Sequence, residues 1–125
     1  MTAERRNISS GGAYEAVFGY SRAVAKAGHV HVSGTCAPPA FEGRPAFDQA
    51  VAALDVIETA LAAAGASLAD VVRTVVYVTD MADADGVAEA HRQRFGEIRP
   101  ASTLIQIGSA LRSWQKVEIE VYAIV

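Results

Sequence analysis

An amphipathic stripe over residues 47–64 is the pattern that most restricts how this chain can fold. Apolar side chains recur there every three or four residues, which places them on one face of a helix. Gly65 follows as a C-terminal stop. Residues 68–79 (LADVVRTVVYVT) are then dense in β-branched side chains, which predicts a strand with both faces largely covered. A helix followed so closely by a buried strand predicts a sheet with helices packed against it.

In the remaining predicted strands, residue types alternate along the sequence with a period of two, which is typical of β-structure. Residues 20–33 form two short strands joined by a tight turn in this interpretation, and residues 102–107 and 117–125 form two more. A second helix is predicted over residues 86–95. The element order β-β-α-β-α-β-β predicts a two-layer α+β domain, in which one sheet of about six strands carries both helices on one face.

The length of 125 residues fits one domain, so residues 1–125 are expected to form a single unit, with residues 1–15 as an N-terminal segment for which flexibility is expected. Eleven Lys and Arg residues against 14 Asp and Glu residues give a net charge of -3, which does not favour non-specific binding to nucleic acid. The most apolar segment is too short for a membrane helix, and no apolar stretch resembles a secretory signal. Cys36 is the single cysteine, so we expect a cytoplasmic protein that is not associated with membranes.

The sheet face away from the helices is also expected to be apolar. The side chains assigned to it are Val30, Val32, Val117, Ile119, Val121 and alternate residues of 104–107. A sheet that faces water should alternate more cleanly between apolar and polar residues. This composition therefore predicts a homo-oligomer that covers the second face, with ligand sites in clefts between elements or subunits.

Glu118 and Glu120 are the first candidates for chemistry. They alternate with apolar residues in the last strand, so both carboxylates leave the same face of the sheet. A carboxylate in a partly apolar cleft can serve as a general base or orient a water molecule. The alternative is a pair of solvated or salt-bridged glutamates.

The histidines and the lone cysteine are the candidates for metal binding and nucleophilic catalysis. His29 and His31 share one face of a strand, which permits a metal pair, and His91 or Cys36 would have to add a third ligand. No cluster has the spacing of a metal site, so exposed or structural histidines are favoured and no metal site is predicted. A nucleophilic Cys36 would need a partner base and a lowered pKa, and the sequence shows neither.

Five strings resemble the Rid family, the reactive intermediate deaminases, also called YjgF/UK114 or endoribonuclease L-PSP-like proteins. They are GYSRAV at 19–24, VHVSGT at 30–35, AGASLADVVRTVVYVTD at 64–80, RPAST at 99–103 and VEIEVYAIV at 117–125. The resemblance extends from about residue 20 to residue 125 in the family's order. It implies a chorismate-mutase-like α+β fold with a mixed sheet, which trimerises through its sheets into a central barrel and has three ligand clefts at subunit interfaces.

The resemblance also implies an activity and the residues that perform it. The best-known members hydrolyse imine or enamine intermediates to a keto acid and ammonia without a metal or cofactor. Glu118 matches the glutamate thought to position the attacking water, and Tyr20 matches a tyrosine that follows Gly-Pro in the family, although the proline is absent here. Ser33 and Gly34 match the Ser-Gly that ends the second strand. Thr35 stands where many members have glutamine.

One family residue is replaced. The arginine that pairs with the substrate carboxylate has become Ser102, and a hydroxyl cannot make the same bidentate, charge-assisted contact. The chain thus resembles the Rid subgroups that lack this arginine. Arg99 or Arg112 would supply a guanidinium from a loop, and Arg22 on the first strand is a similar candidate. The alternative is that these arginines are solvated.

Neighbouring polar and aromatic residues complete the candidate site. Ser102 and Thr103 would donate hydrogen bonds to a small polar ligand, or else cap backbone groups. Trp114 and Tyr20 would provide an aromatic wall, or else fill a subunit contact.

Three functions are compatible with these residues. The first is a Rid-type hydrolase that acts on a small imine or enamine in an interface cleft. The second is a non-enzymatic, small-molecule-binding or regulatory trimer, which the missing arginine favours. The third is a ribonuclease, against which the acidic charge and the lack of a basic surface with interspersed aromatic residues argue.

Overall fold

The structure, a computed structural model, describes residues 4–125. Over these residues the chain forms six strands, three helices and three single turns of 3₁₀ helix. The strands are β1 (Arg6–Ile8), β2 (Ala23–Lys26), β3 (His29–Thr35), β4 (Val71–Val78), β5 (Ala101–Gln106) and β6 (Val117–Ile124). The helices are α1 (Ala13–Phe18), α2 (Ala46–Ala63) and α3 (Ala84–Phe95).

All six strands belong to one mixed sheet in the order β1-β2-β3-β6-β4-β5. Strands β4 and β5 are parallel, because α3 carries the chain back along the sheet between them, and every other pair is antiparallel. The predicted α+β fold, with a mixed sheet of about six strands and helices packed on it, is confirmed.

Two elements before residue 20 were missed. Strand β1 has three residues, too few for a visible alternation, and it pairs with β2 through Arg6↔Ala25 and Ile8↔Ala23. Helix α1 has six residues, fewer than two turns, and ends at Gly19, whose φ of 87° suits a left-handed cap. Periodicity needs a longer window than either element offers.

The core lies between the sheet and helices α2 and α3. Leu54, Ile57 and Leu61 of α2 are fully buried in one cluster with the inner residues of the sheet. The buried sheet residues in this cluster include Val30, Val32, Val71, Val76, Val78, Val117, Ile119 and Val121. The assignment of the β3 and β6 valines and Ile119 to the second face of the sheet was therefore wrong. They point toward α2, because burying them there removes a full row of apolar side chains from water.

The open face of the sheet carries the side chains that alternate along each strand with the buried ones, and it is largely polar. It presents the side chains of His29, His31, Ser33, Arg73, Val75, Tyr77, Thr103, Ile105, Glu118, Glu120 and Tyr122. Alternation between an apolar inner row and a polar outer row is typical of an antiparallel sheet with one solvated face. The apolar content of this face therefore does not by itself require an oligomer.

Glu120 is held in the middle of the open face. It accepts hydrogen bonds from the hydroxyls of Tyr77 and Tyr122. These bonds to the carboxylate, with partial burial, raise the pKa of Tyr77 to about 12 and raise the pKa of Tyr122 as well. The contacts give Glu120 a structural role in the sheet.

No helix within residues 4–125 combines the length and apolar character that a membrane span requires.

Candidate functional site

A cleft of about 670 Å³ lies between α1, the end of β3 and the loop that precedes β6. It brings together five of the residues predicted for the site: Tyr20, Ser33, Gly34, Arg112 and Glu118. Arg22 and Cys36 also line it. Residues far apart in the sequence thus converge on one concave surface, which is the usual form of a small-molecule site.

An irregularity in β3 shapes the floor of the cleft. Strands β3 and β6 pair regularly as far as Val32↔Val121, and their register shifts before Thr35↔Ile119. The extra residue in β3 changes the direction of the strand, as in a β-bulge, and brings Gly34 against Glu118. A Cβ atom on Gly34 would lie 2.3 Å from Oε2 of Glu118, so only glycine permits this approach.

Glu118 is half-buried between the buried residues Val117 and Ile119 of β6. Its Oε1 lies 3.5 Å from the sulfur of Cys36, close enough to accept a hydrogen bond from the thiol. Burial, reinforced by the charge of Glu118, raises the pKa of the Cys36 thiol to about 12. Cys36 therefore stays protonated at neutral pH and acts as a donor to Glu118, which is the reverse of an activated nucleophile.

The guanidinium of Arg22 lies beside the same bulge. Arg22 is 8% exposed, and its Nη2 donates to the carbonyl of Gly34 at 2.6 Å. Its Cζ is 5.4 Å from the ring centre of Tyr20, within the range of a cation–π contact. Arg22 also borders a smaller, mostly apolar groove of about 420 Å³ between β1 and α2.

Three aromatic rings form one wall of the cleft. Tyr14 and Phe18 of α1 stack with their ring centres 5.9 Å apart, and both contact Tyr20. Phe18 is nonetheless 72% exposed, which leaves a large apolar surface beside a polar floor. Tyr14 and Phe18 were missed from the sequence because the helix that carries them was not predicted. Their only signal was the string AYEAVF between two glycines.

Gln49 fixes the loop on the other side of the cleft. This fully buried side chain of α2 donates to the carbonyls of Arg44 (2.9 Å) and Trp114 (3.3 Å) and accepts from the amide of Lys116 (2.9 Å). The loop is thereby tied to α2, which positions Arg112 and Gln115 at the edge of the cleft. Trp114 itself does not line the cleft, and only its carbonyl takes part in this anchoring.

The other predicted site residues lie elsewhere in the single chain. Thr35 is buried, and its hydroxyl donates to the carbonyl of Ser33 at 2.8 Å. Thr103 is on the open face of the sheet, where it accepts a hydrogen bond from Arg73. Ser102 and Arg99 line a separate groove of about 410 Å³ between β5 and α3.

Ser102 belongs to a small polar network inside that groove. The hydroxyl of Thr74, which is fully buried, donates to Ser102 Oγ at 2.7 Å and lies 2.8 Å from Nε2 of His91. Burial lowers the pKa of His91, so the imidazole is neutral at pH 7. Within residues 4–125 no group of three or more His, Cys, Asp or Glu side chains is placed to hold a metal ion.

Comparisons with known proteins agree on the family. The model of the family described as Endoribonuclease L-PSP matches residues 11–125. The crystal structure of a Mycobacterium tuberculosis member of the YjgF/YER057c/UK114 family is 43% identical and superposes with a TM-score of 0.92, over 98% of this chain and 100% of that one. The E. coli YjgF gene product is 26% identical with a TM-score of 0.82, over 95% of this chain and 98% of that one.

A curated relative has a named activity. The human protein called 2-iminobutanoate/2-iminopropanoate deaminase is 32% identical over 96% of this chain and 90% of its own length. Together with the family match over residues 11–125, this similarity spans the cleft and every strand of the sheet from β2 onward. The chain therefore belongs to the Rid family, known equally as the YjgF/YER057c/UK114 or endoribonuclease L-PSP family.

Proposed function

We propose that this protein binds a small metabolite in the cleft around Glu118 and hydrolyses imines or enamines there to a carbonyl compound and ammonia. The observation that carries the proposal is the placement of the Glu118 carboxylate. One oxygen faces the protonated thiol of Cys36, the other lies against Gly34, and the whole group borders an open cleft. A carboxylate fixed in this way can hold a water molecule and accept its proton. The name of the human relative supports this reaction.

The proposed reaction needs no change of oxidation state. Water held by Glu118 gives one proton to the carboxylate while its oxygen bonds to the imine carbon and the C=N electron pair moves to nitrogen. Glu118 returns the proton to that nitrogen, which gives a carbinolamine. The remaining hydroxyl proton then passes to the amine, the C–N bond breaks, and ammonia leaves as the carbonyl forms. Cys36 holds the carboxylate throughout by donating its S–H.

The rest of the cleft would bind and orient the substrate. The rings of Tyr14, Phe18 and Tyr20 offer an apolar surface for a short side chain. Arg112, exposed at the opposite edge, can reach a polar end from the loop. Ser102 cannot take the role of the family arginine within one chain, since it faces Thr74. We therefore place the protein among the Rid subgroups that lack this arginine.

We also infer that three copies assemble and complete the cleft. Strand β5 is the edge of the sheet, and all six of its residues are exposed, including Leu104 and Ile105. An exposed, apolar edge strand normally needs cover. A neighbouring copy on β5 would bring Arg99 and Thr103 toward another chain. Sedimentation equilibrium is expected to give three times 13.1 kDa, and a stable single-copy mass at micromolar concentration would contradict the trimer. The free thiol of Cys36 suits a reducing compartment such as the cytoplasm.

The test of the function is ammonia release from imines generated in the reaction mixture by an amino-acid oxidase. We expect release well above the buffer rate, and a loss of about 100-fold in Glu118→Gln, because removing a positioned base costs about 10²–10⁴ in rate. Glu120→Gln is the matched control, since Glu120 lies on the same strand but is held by two tyrosines outside the cleft. Turnover no faster than buffer for several amino-acid-derived imines would contradict the proposal.

The second candidate is a non-enzymatic binding protein that uses the same cleft. It is favoured by the inward orientation of Ser102, which leaves the family's carboxylate contact unmade in this chain. In that case 2-oxo acids would raise the melting temperature, because a ligand that binds only the folded state stabilises it, while imine turnover would stay at the buffer rate. Ribonuclease activity is not part of the proposal, given the net charge of -3.

A further inference from the structure

Arg22 is a buried charge that the preceding description leaves without a counter-charge. It is 8% exposed, and no carboxylate lies within ion-pair distance of it among residues 4–125. Its Nε is buried and makes no hydrogen bond. Arginine is almost never this buried unless it is paired, because an unpaired charge loses its hydration without compensation. No counter-charge for this guanidinium is therefore present within residues 4–125.

The position of Arg22 indicates where that missing group would sit. Its Nη2 is fixed by the carbonyl of Gly34, the residue that touches Glu118. The ring of Tyr20 lies 5.4 Å from its Cζ on the side of the cleft. Its Nη1 makes no hydrogen bond within the described residues and is not among the fully buried unpaired atoms, so it keeps access to solvent. Arg22 thus lines the cleft next to Gly34, at the part of the floor that carries Glu118.

We propose that Arg22 is the anion-binding residue of the cleft, and that its ligand is a small carboxylate whose reacting carbon lies beside Glu118. Charge-assisted hydrogen bonds from Nη1 and from the second N–H of Nη2, the first being donated to Gly34, would bind the carboxylate. The positive charge at Arg22 and the negative charge at Glu118 then orient the ligand in one direction only. The inference rests on the proposed function only for the identity of the reacting carbon, and carboxylate binding is tested without turnover.

A competing explanation is that Arg22 only braces the irregular end of β3 through Gly34. A brace needs a hydrogen-bond donor but no charge, and Arg22→Gln keeps a donor at this site while removing the charge. Arg44→Gln is the matched control, because it removes one positive charge from a side chain outside the cleft. Arg112→Gln removes the other arginine that lines the cleft.

The experiment compares pyruvate with pyruvamide, its uncharged analogue of similar size, by isothermal titration calorimetry on the full chain. Wild type and Arg44→Gln are expected to bind pyruvate at least about tenfold more tightly than pyruvamide, as a charge-assisted contact predicts. In Arg22→Gln this ratio is expected to fall to about one, with an unchanged unfolding midpoint in urea. Arg22→Lys is expected to keep part of the preference, because it keeps the charge but loses the planar geometry.

Several results would overturn the inference: no preference for pyruvate in the wild type, an unchanged ratio in folded Arg22→Gln, or loss of the preference in Arg112→Gln instead. Its failure is distinguishable from that of the proposed function. Glu118→Gln is expected to lose imine hydrolysis and keep the preference for pyruvate. A preference that depends on Arg22 in a protein without turnover would support the anion site and contradict the hydrolase.

Discussion

Gly34 and Glu118 approach so closely that a methyl group on Gly34 would lie 2.3 Å from Oε2 and 2.9 Å from Cδ of Glu118. The contact joins the irregular end of β3 to the strand that carries the proposed base. Gly34 has no left-handed backbone angle, so its requirement is space alone. This close approach is what fixes the Glu118 carboxylate at the floor of the cleft.

Gly34→Ala is expected to displace the Glu118 carboxylate and to reduce imine hydrolysis as far as Glu118→Gln does. The stability cost should stay below about 2 kcal/mol, because the displaced group is the end of a side chain that borders an open cleft. Steady-state kinetics and urea denaturation measure the two effects. Gly108→Ala is the control, since a Cβ at Gly108 meets no atom within 4 Å. Full activity in Gly34→Ala would show that Glu118 does not need this position.

The Cys36 thiol should be unreactive in the folded protein. A rise of its pKa from 9.0 to about 12 lowers the thiolate fraction at pH 8 by roughly a thousandfold. Iodoacetamide should therefore modify the native protein far more slowly than the protein in guanidinium chloride. Glu118→Gln should accelerate the native reaction, because it removes the charge that opposes ionisation of the thiol. Equal rates in native and denatured protein would contradict this environment.

The same thiol should make stability depend on alkaline pH. Between pH 9 and pH 12 the unfolded thiol ionises while the folded thiol keeps its proton, so the unfolded state gains stability as the pH rises. The free energy of unfolding should then fall more steeply in wild type than in Cys36→Ser over pH 9–11. Tyr77 and Tyr122 act in the same direction above pH 10 and are present in both proteins. Parallel curves from urea denaturation would show that the thiol is not buried.

Gln49→Leu is expected to destabilise the fold by about 2–4 kcal/mol. The substitution keeps a buried side chain of similar size but leaves the amide of Lys116 and the carbonyls of Arg44 and Trp114 without a partner. Urea denaturation measures the effect. Gln93→Leu is the control on α3, since Gln93 is exposed and its one side-chain hydrogen bond within residues 4–125 is to Glu89, and it should change stability by less than about 0.5 kcal/mol. An equal effect at both positions would contradict the anchoring role.

His91 should stabilise the fold only in its neutral form. Burial lowers its pKa from 6.5, so below that pH the unfolded state takes up a proton that the folded state does not. The wild type should lose stability between pH 7 and pH 5.5, before the Glu89 carboxylate titrates, because the hydrogen bond from Arg92 lowers the pKa of Glu89 below its ordinary value of 4.5. His91→Gln should show a flatter curve over this range. An NMR titration that gives an unshifted His91 pKa would contradict the prediction.

The long elements were predictable because their periodicity is local. The stripe that begins at Phe47 and the β-branched run that ends at Val78 extend over enough residues for one period to dominate. Alternation in β6 also placed Glu118 and Glu120 on one face correctly. It could not tell which face α2 would cover. The valines of β3 and β6 were therefore assigned to the wrong side.

Local sequence and the family motifs established an α+β domain of the Rid family and identified Glu118, Tyr20, Ser33 and Gly34 as residues of one cleft. Only the folded chain showed that Cys36, 82 residues from Glu118, donates to its carboxylate, and that Arg22 rather than Arg99 lines the same cleft. Hydrophobic periodicity is a property of neighbouring residues. Contacts between β3 and β6 depend on strand register and on one extra residue in β3, and both are set by packing across the whole sheet.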